Sequence, residues 1–113
     1  MAMKIIKSID TKRGRLFEVD ASGRAVRILL TWHALDGAED YGISADDLLN
    51  FLMHPEEVIR GHAGRFIAHK RLNRHLARVV YEYENESFVV ITFYISHADR
   101  YFKGGINEDK ILP

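Results

Sequence analysis

Three runs of apolar and aromatic residues, separated by very short polar breaks, occupy the second half of the chain. The runs are Arg65 to Leu72, Leu76 to Glu84 and Phe88 to Ser96, and the breaks are Asn73-Arg74-His75 and Asn85-Glu86-Ser87. Breaks of this length are typical of β-hairpins, in which consecutive strands lie side by side and antiparallel. The sequence therefore predicts an antiparallel meander over residues 65–96.

The third run is predicted to be a central strand, because both of its faces are apolar. Alternate positions form two sets: Val89, Ile91, Phe93 and Ile95 on one side, and Phe88, Val90, Thr92 and Tyr94 on the other. Side chains alternate between the two faces of a strand, and a strand that buries both faces lies inside its sheet.

The first part of the chain predicts one or two short strands. Lys4 to Ile9 and Leu16 to Val19 have strand-like apolar spacing around a turn signal, and Ala25 to Thr31 follows a second turn signal. A chain of 113 residues has the size of one ordinary domain. We therefore expect a single domain over residues 1–113, in which residues 1–30 form an N-terminal strand extension.

Two helices are predicted between this extension and the meander. His33 to Tyr41 is compatible with a helix that Gly42 closes, and the Ser44 hydroxyl can cap a second helix. The second helix should end near His54, because Pro55 disfavours helical geometry in the residue before it. Helices followed by a meander predict an α+β fold with a three- to four-stranded antiparallel sheet.

Several kinds of chemistry are disfavoured by what the sequence lacks. It has no cysteine, which excludes disulfides, thiolate metal sites and cysteine nucleophiles. It also has no Gly-rich phosphate loop and no Gly-x-Ser-x-Gly elbow. No uninterrupted apolar stretch indicates a leader or a membrane span, so we expect a cytoplasmic protein with no membrane partner. We also expect no cofactor.

Charge is sorted along the chain although the formal net charge is zero. The segment from Val58 to Tyr81 has no acidic residue and carries the cations Arg60, Arg65, Lys70, Arg71, Arg74 and Arg78. A hairpin would gather the cations from Arg65 to Arg78 into a patch suited to phosphate. The alternative is that they pair with the acidic segment from Asp36 to Glu57.

Histidine is the side chain whose proton moves near neutral pH, and the chain has six. His33 stands at a predicted strand-to-helix junction, where it can act as a general acid or base or make a structural hydrogen bond. The spacing of His54, His62, His69 and His75 fits no common zinc signature, so no metal site is expected.

The segment Arg100-Tyr101-Phe102-Lys103 places aromatic and cationic groups side by side after the last predicted strand. Tyr101 can stack on a base in this arrangement, or it can close the core together with Phe102. We keep Tyr101 as a candidate contact to RNA.

Several segments resemble a small bacterial and archaeal domain family of unknown function. They are Thr31-Trp32-His33-Ala34, Tyr41-Gly42-Ile43-Ser44, His54-Pro55-Glu56-Glu57-Val58, residues 65–71, residues 78–82 and residues 89–94. The resemblance covers about residues 30 to 104. That family looks like a distant relative of the RelE and BrnT toxins, within the barnase and RelE-like ribonuclease group.

The resemblance implies a metal-independent RNA endonuclease, with RNA and a cognate antitoxin protein as partners, and it allows a homodimer. His33, Lys70, Arg78 and Thr92 fall on motif positions, with Arg71 and Tyr94 adjacent. In the implied mechanism a ribose 2′-hydroxyl attacks the adjacent phosphodiester, Lys70 and Arg78 stabilise the phosphorane, and His33 is the acid or base. Contacts to RNA are assigned to Arg65, Arg71, Arg74, Tyr94 and Tyr101.

Where the family usually carries a Glu-Arg pair on its helix and an arginine before the Gly-Ile, this chain has Asp36-Gly37 and Tyr41.

Two other hypotheses stay open. One is a noncatalytic interaction module, in effect a degenerate toxin, that binds a partner through its sheet edge or its helical acids. The other is an enzyme that acts on a small anionic substrate through the same basic patch.

Overall fold

A computed structural model describes residues 3–97 as one seven-stranded mixed β-sheet with two short α-helices on one of its faces. The strands are β1 (Met3–Asp10), β2 (Gly14–Ala21), β3 (Arg24–Thr31), β4 (Glu57–Arg60), β5 (Phe66–Leu72), β6 (His75–Glu84) and β7 (Ser87–His97). The helices are α1 (Trp32–Asp40) and α2 (Ala45–Met53), and a single 3₁₀ turn at His62–Gly64 joins β4 to β5.

The strand order is β1-β2-β3-β7-β6-β5-β4, and it joins two antiparallel meanders into one sheet. Strands β1 to β3 form the N-terminal meander, and β4 to β7 form the C-terminal one. Strands β3 and β7 pair in parallel, and the helices belong to the long connection that this pairing requires. Strand β7 is therefore the central strand, as its two apolar faces predicted.

The predicted three- to four-stranded antiparallel sheet is wrong. The N-terminal region contains three strands rather than one or two, and all three belong to the same sheet as the meander. Strand β4 is only four residues long, too short to produce a recognisable alternating pattern. The parallel pairing of β3 with β7 joins residues about sixty positions apart, which no local pattern records.

Both helices begin at hydroxyl side chains that accept backbone hydrogen bonds. Thr31 Oγ1 accepts from the amide of Ala34, and Ser44 Oγ accepts from the amide of Asp47, each at 3.1 Å. Such caps satisfy amides that have no partner inside the first turn of a helix. The Thr31 hydroxyl also donates to the carbonyl of Val90 at 2.8 Å, which ties the start of α1 to the central strand.

The main core lies between the helices and one face of the sheet, which we call the helix face. Its side chains include Ala34, Ala38, Leu48, Leu49 and Leu52 from the helices, and Ile28, Leu30, Ala68, Ala77, Val79, Val90 and Phe93 from the strands. The alternate positions of β6, among them Leu76, Arg78 and Val80, point to the other side, the opposite face, and are also buried.

A β-bulge at Ile91 changes which residues of β7 share a face. Val80 pairs with Thr92 and Tyr81 pairs with Val90, so Ile91 is an extra residue in β7. As a result Val90 and Phe93 both lie in the helix-face core, although they are three positions apart. The predicted alternation is therefore wrong beyond Val90, and the bulge places Thr92 and Tyr94 on the opposite face with Arg78.

Candidate functional site

Four polar side chains form a row across the opposite face of the sheet. Glu57 of β4 pairs with His69 of β5, His69 pairs with Arg78 of β6, and Arg78 pairs with Tyr94 of β7. Directly paired residues on neighbouring strands project from the same face and lie side by side. Adjacent strands are about 4.8 Å apart, so the row spans about 14 Å.

Hydrogen bonds connect every neighbouring pair in this row. Arg78 Nε donates to His69 Nε2 at 3.0 Å, Arg78 Nη1 donates to the Tyr94 hydroxyl at 2.8 Å, and His69 Nδ1 lies 2.8 Å from Glu57 Oε2. A guanidinium can only donate, so His69 Nε2 is the acceptor and its ring proton sits on Nδ1. The Nδ1 proton is then donated to Glu57, as in a carboxylate-oriented imidazole.

The centre of the row is fully buried and its two ends are only partly buried. Arg78 and His69 have 0% exposed surface, whereas Glu57 and Tyr94 keep part of theirs. A buried charge is costly unless hydrogen bonds and charged or polarisable groups surround it. Here the guanidinium also lies 5.4 Å from the centre of the Tyr94 ring, a distance at which the ring attracts a cation.

This combination of groups is suited to reactions at a phosphate. A guanidinium stabilises negative charge on phosphoryl oxygens, an oriented imidazole exchanges a proton near neutral pH, and a phenol can donate one. The guanidinium lies between the other two groups and is hydrogen-bonded to both the imidazole and the phenol.

Several of the predicted site residues lie on the same face as the row. Arg78 and Tyr94 belong to the row, and Thr92 follows the bulge on the same face of β7. Arg65 lies near this face at the start of β5, and its Nε is 3.0 Å from Glu82 Oε2. The structure therefore brings part of the predicted set together.

Lys70 and His33 lie on the other side of the sheet. Lys70 follows His69 in β5 and so projects to the helix face, where its Nζ donates to the backbone carbonyl of His54 at 3.4 Å. His33 is an exposed residue in the first turn of α1, the helix that packs on that same face. The structure does not bring either residue together with Arg78.

Of the remaining predicted RNA contacts, Arg71 lies in β5 on the same face as His69, Arg74 lies in the β5–β6 turn, and one residue lies outside the described part of the chain. Arg71 and Arg74 are exposed, and the backbone amide of Arg71 donates to Glu56 Oε1. Tyr101 lies outside residues 3–97. These residues stay predictions.

Sequence reasoning missed Glu57 and His69, although one signal pointed to His69. A two-residue turn at Asn73-Arg74 pairs Leu72 with His75 and, three positions further along each strand, His69 with Arg78. That pairing could have been found from the hairpin alone. Glu57 had no comparable signal, because it lies in the four-residue strand β4.

The described part of the chain holds neither a cluster of metal ligands nor a helix that could span a membrane. Within residues 3–97, no group of three or more histidine, cysteine or carboxylate side chains is placed to hold a metal ion. Over the same part of the chain, no helix has the length and apolar character needed to cross a membrane.

The fold and the row define a small mixed-sheet domain with a buried polar row on the face opposite its helices. Residues 30–95, more than half of the chain, match the family described as Domain of unknown function (DUF4258), and the chain belongs to this family. No curated protein and no solved structure matches the chain. The comparisons give no evidence for similarity to RelE or BrnT toxins.

Proposed function

We propose that the protein is a metal-independent RNA endonuclease whose site is the row Glu57-His69-Arg78-Tyr94. The observation that carries this proposal is the hydrogen bonding of one guanidinium to both an imidazole and a phenol, at 3.0 and 2.8 Å. Cleavage by a ribose 2′-hydroxyl needs charge stabilisation at phosphorus, removal of one proton and delivery of another. The row contains a group for each of these tasks.

In the proposed reaction the 2′-oxygen attacks phosphorus and the 5′-oxygen of the next nucleotide leaves. Once the hydrogen bond from Arg78 Nε to His69 Nε2 has opened, His69 Nε2 takes the proton of the 2′-hydroxyl. Glu57 orients the ring and stabilises the imidazolium that forms. Arg78 stabilises the extra negative charge on the phosphoryl oxygens, and Tyr94 donates a proton to the leaving oxygen. The products are a 2′,3′-cyclic phosphate and a 5′-hydroxyl. DNA lacks the attacking hydroxyl and is not cleaved.

The complete burial of Arg78 and His69 favours a second candidate function, a noncatalytic interaction module. A catalytic role requires a local opening that lets a phosphate reach both side chains. An interaction module requires no such opening, because in that function the row only stabilises the sheet. The expected antitoxin partner belongs to the first candidate and stays a prediction.

Cleavage of a labelled RNA by the purified full chain, with and without EDTA, tests the proposal. We expect 2′,3′-cyclic phosphate ends that persist with the chelator, and no cleavage when the substrate carries 2′-deoxyribose. In His69→Gln the rate should fall by about 10²-fold or more, because the general base is lost. His33→Gln is the matched control, since His33 is exposed on the other side of the sheet, and it should cleave like the wild type.

Two results would contradict this assignment. If folded His69→Gln cleaves as fast as the wild type, the row is not the site; if His33→Gln is the slow variant, the acid or base is His33. Absence of cleavage in a broad set of RNAs would favour the interaction module. Circular dichroism spectra of both variants must match the wild type, because His69 is buried.

A further inference from the structure

The helix face of the sheet carries an aromatic patch whose groove is lined by strand residues alone. It consists of Val58, Phe66, Tyr81, Tyr83 and Phe88, which line a shallow groove of about 410 Å³. Tyr83 is 56% exposed and Val58 is 46% exposed, so the groove presents apolar surface to solvent. Apolar patches of this kind on a protein surface commonly mark binding sites.

The rings of the patch form a continuous series across three strands. The ring centroids of Phe66 and Tyr81 are 5.6 Å apart with the planes 29° from parallel. Phe88 lies edge-on to Tyr81 at 5.6 Å and to Tyr83 at 4.9 Å. These mutual contacts hold the rings in place, so the exposed ring surface is preorganised.

Exposed arginines flank the patch on two sides. Arg60 pairs directly with Phe66 at the β4 edge, and Arg24 lines an adjoining cavity of about 360 Å³ together with Tyr83 and Phe88. Glu86 lines that cavity too. Across the described part of the chain, neither arginine forms an ion pair, so both guanidinium groups are available to a ligand.

We infer that this aromatic patch binds single-stranded RNA by stacking of its bases, while Arg60 and Arg24 contact the phosphates. Stacking on aromatic rings beside cationic groups is the usual way in which proteins hold single strands. The composition favours RNA over a protein partner, because four of the five side chains are aromatic and the two flanking arginines outweigh the single charge of Glu86. The inference rests on the proposed function, since it states where the substrate strand is held.

The geometry of β4 connects the patch to the row. Glu57 belongs to the row and Val58 belongs to the patch, and these consecutive residues project from opposite faces of β4. Strand β4 is an edge strand of only four residues. A strand of RNA that passes around this edge can therefore contact the patch with its bases and approach the row with its backbone.

Binding of a fluorescein-labelled octauridine with 2′-O-methyl groups tests the inference without cleavage. Fluorescence anisotropy with the full chain should show saturable binding that weakens as salt is added. We expect Tyr83→Leu to weaken binding at least fivefold, because leucine is apolar but offers no ring to stack on, and Tyr83→Phe to bind within twofold of the wild type. Arg60→Ala should weaken binding and reduce the salt dependence by about one phosphate contact.

Tyr41→Leu is the matched control, because Tyr41 is 48% exposed but lies at the end of α1, away from the patch. It should bind like the wild type. The inference is overturned if Tyr83→Leu binds the oligonucleotide as tightly as the wild type, or if the wild type does not bind it. A protein ligand would then be the explanation of the patch. If the protein binds the oligonucleotide but does not cleave ordinary RNA, only the endonuclease proposal is contradicted. Unchanged cleavage by Tyr83→Leu would contradict the role of the patch in holding the substrate, while the endonuclease proposal would stand.

Discussion

Arg78 places a positive charge at a position that has no exposed surface, and three neighbouring side chains make this tolerable. His69 and Tyr94 accept its hydrogen bonds, and Glu57 supplies a negative charge through the His69 ring. Removing one partner of a buried charge is costly, because the remaining donor then has neither water nor protein to bond to. The row should therefore contribute to stability whether or not it is catalytic.

The Tyr94→Phe substitution tests this contribution, because it removes a single oxygen atom from the row. The variant keeps the ring beside Arg78 and removes only the hydroxyl that accepts from Nη1. We expect the free energy of unfolding, measured by urea titration, to fall by about 1–3 kcal/mol. Tyr83→Phe removes an exposed hydroxyl and should change it by less than about 0.5 kcal/mol. Equal effects of the two substitutions would show that the Arg78–Tyr94 hydrogen bond has no net value.

The register of a single hairpin decides which residues form the site. A three-residue break at Asn73-Arg74-His75 would place Lys70 opposite Arg78, with both side chains on one face of the sheet. The observed turn has two residues, with Asn73 in the left-handed region at φ 57°, and it pairs Arg78 with His69 instead. Side chains alternate between the two faces of a strand, so this one-residue difference in hairpin register places Lys70 on the face opposite Arg78.

Helix α1 packs against β7 through Gly37, where a side chain has no room. A Cβ added to Gly37 would lie 2.7 Å from the carbonyl oxygen of Phe93, which belongs to the backbone and cannot easily move. Gly37, which departs from the pattern of the resembled family, therefore lies at a point of close contact between α1 and β7.

We predict that Gly37→Ala destabilises the protein, although alanine is normally better than glycine in a helix by about 1 kcal/mol. The steric overlap should outweigh this gain and lower the free energy of unfolding by about 1–3 kcal/mol in urea titrations. Asp36→Ala is the control, because Asp36 is exposed in the same turn of α1 and its replacement should be neutral or slightly stabilising. A more stable Gly37→Ala variant would show that α1 can move away from β7 at little cost.

The two meanders share one core even though the family match covers mainly the second. The matched residues 30–95 begin at the end of β3 and so leave out β1, β2 and most of β3. Yet Phe17, Val19 and Ile28 from that omitted part are buried in the same helix-face core as Val90 and Phe93. Without the N-terminal meander, the central strand β7 would become an exposed edge.

A fragment of residues 30–97 should therefore fail to fold cooperatively. It would lose the parallel partner of β7 and would expose apolar side chains that β2 and β3 now cover. We expect no sigmoidal urea transition in the fluorescence of Trp32, the single tryptophan, whereas the full chain should show one. A full-length Ile9→Thr variant, altered at an exposed residue of β1, should unfold like the wild type. A cooperative transition in the fragment would show that the second meander is an independent unit.

Local signals in the sequence determined the elements that depend on neighbouring residues. The Ser44 hydroxyl, Gly42 and Pro55 placed both helices, and alternating apolar residues with short breaks placed β5, β6 and β7. Such signals are readable because they act within a few positions along the chain. They also selected Arg78 and Tyr94 as site residues, through charge and the resemblance.

Only the tertiary structure decided how the elements combine. The parallel β3–β7 pair, the bulge at Ile91 and the row from Glu57 to Tyr94 all depend on contacts between residues distant in sequence. Pairing of that kind is chosen by the joint burial of whole faces, and a slip of one residue exchanges those faces. For this reason the sequence pointed to the buried arginine and held a hairpin signal for His69, while the fold alone supplied Glu57 and placed His33 and Lys70 on the other side.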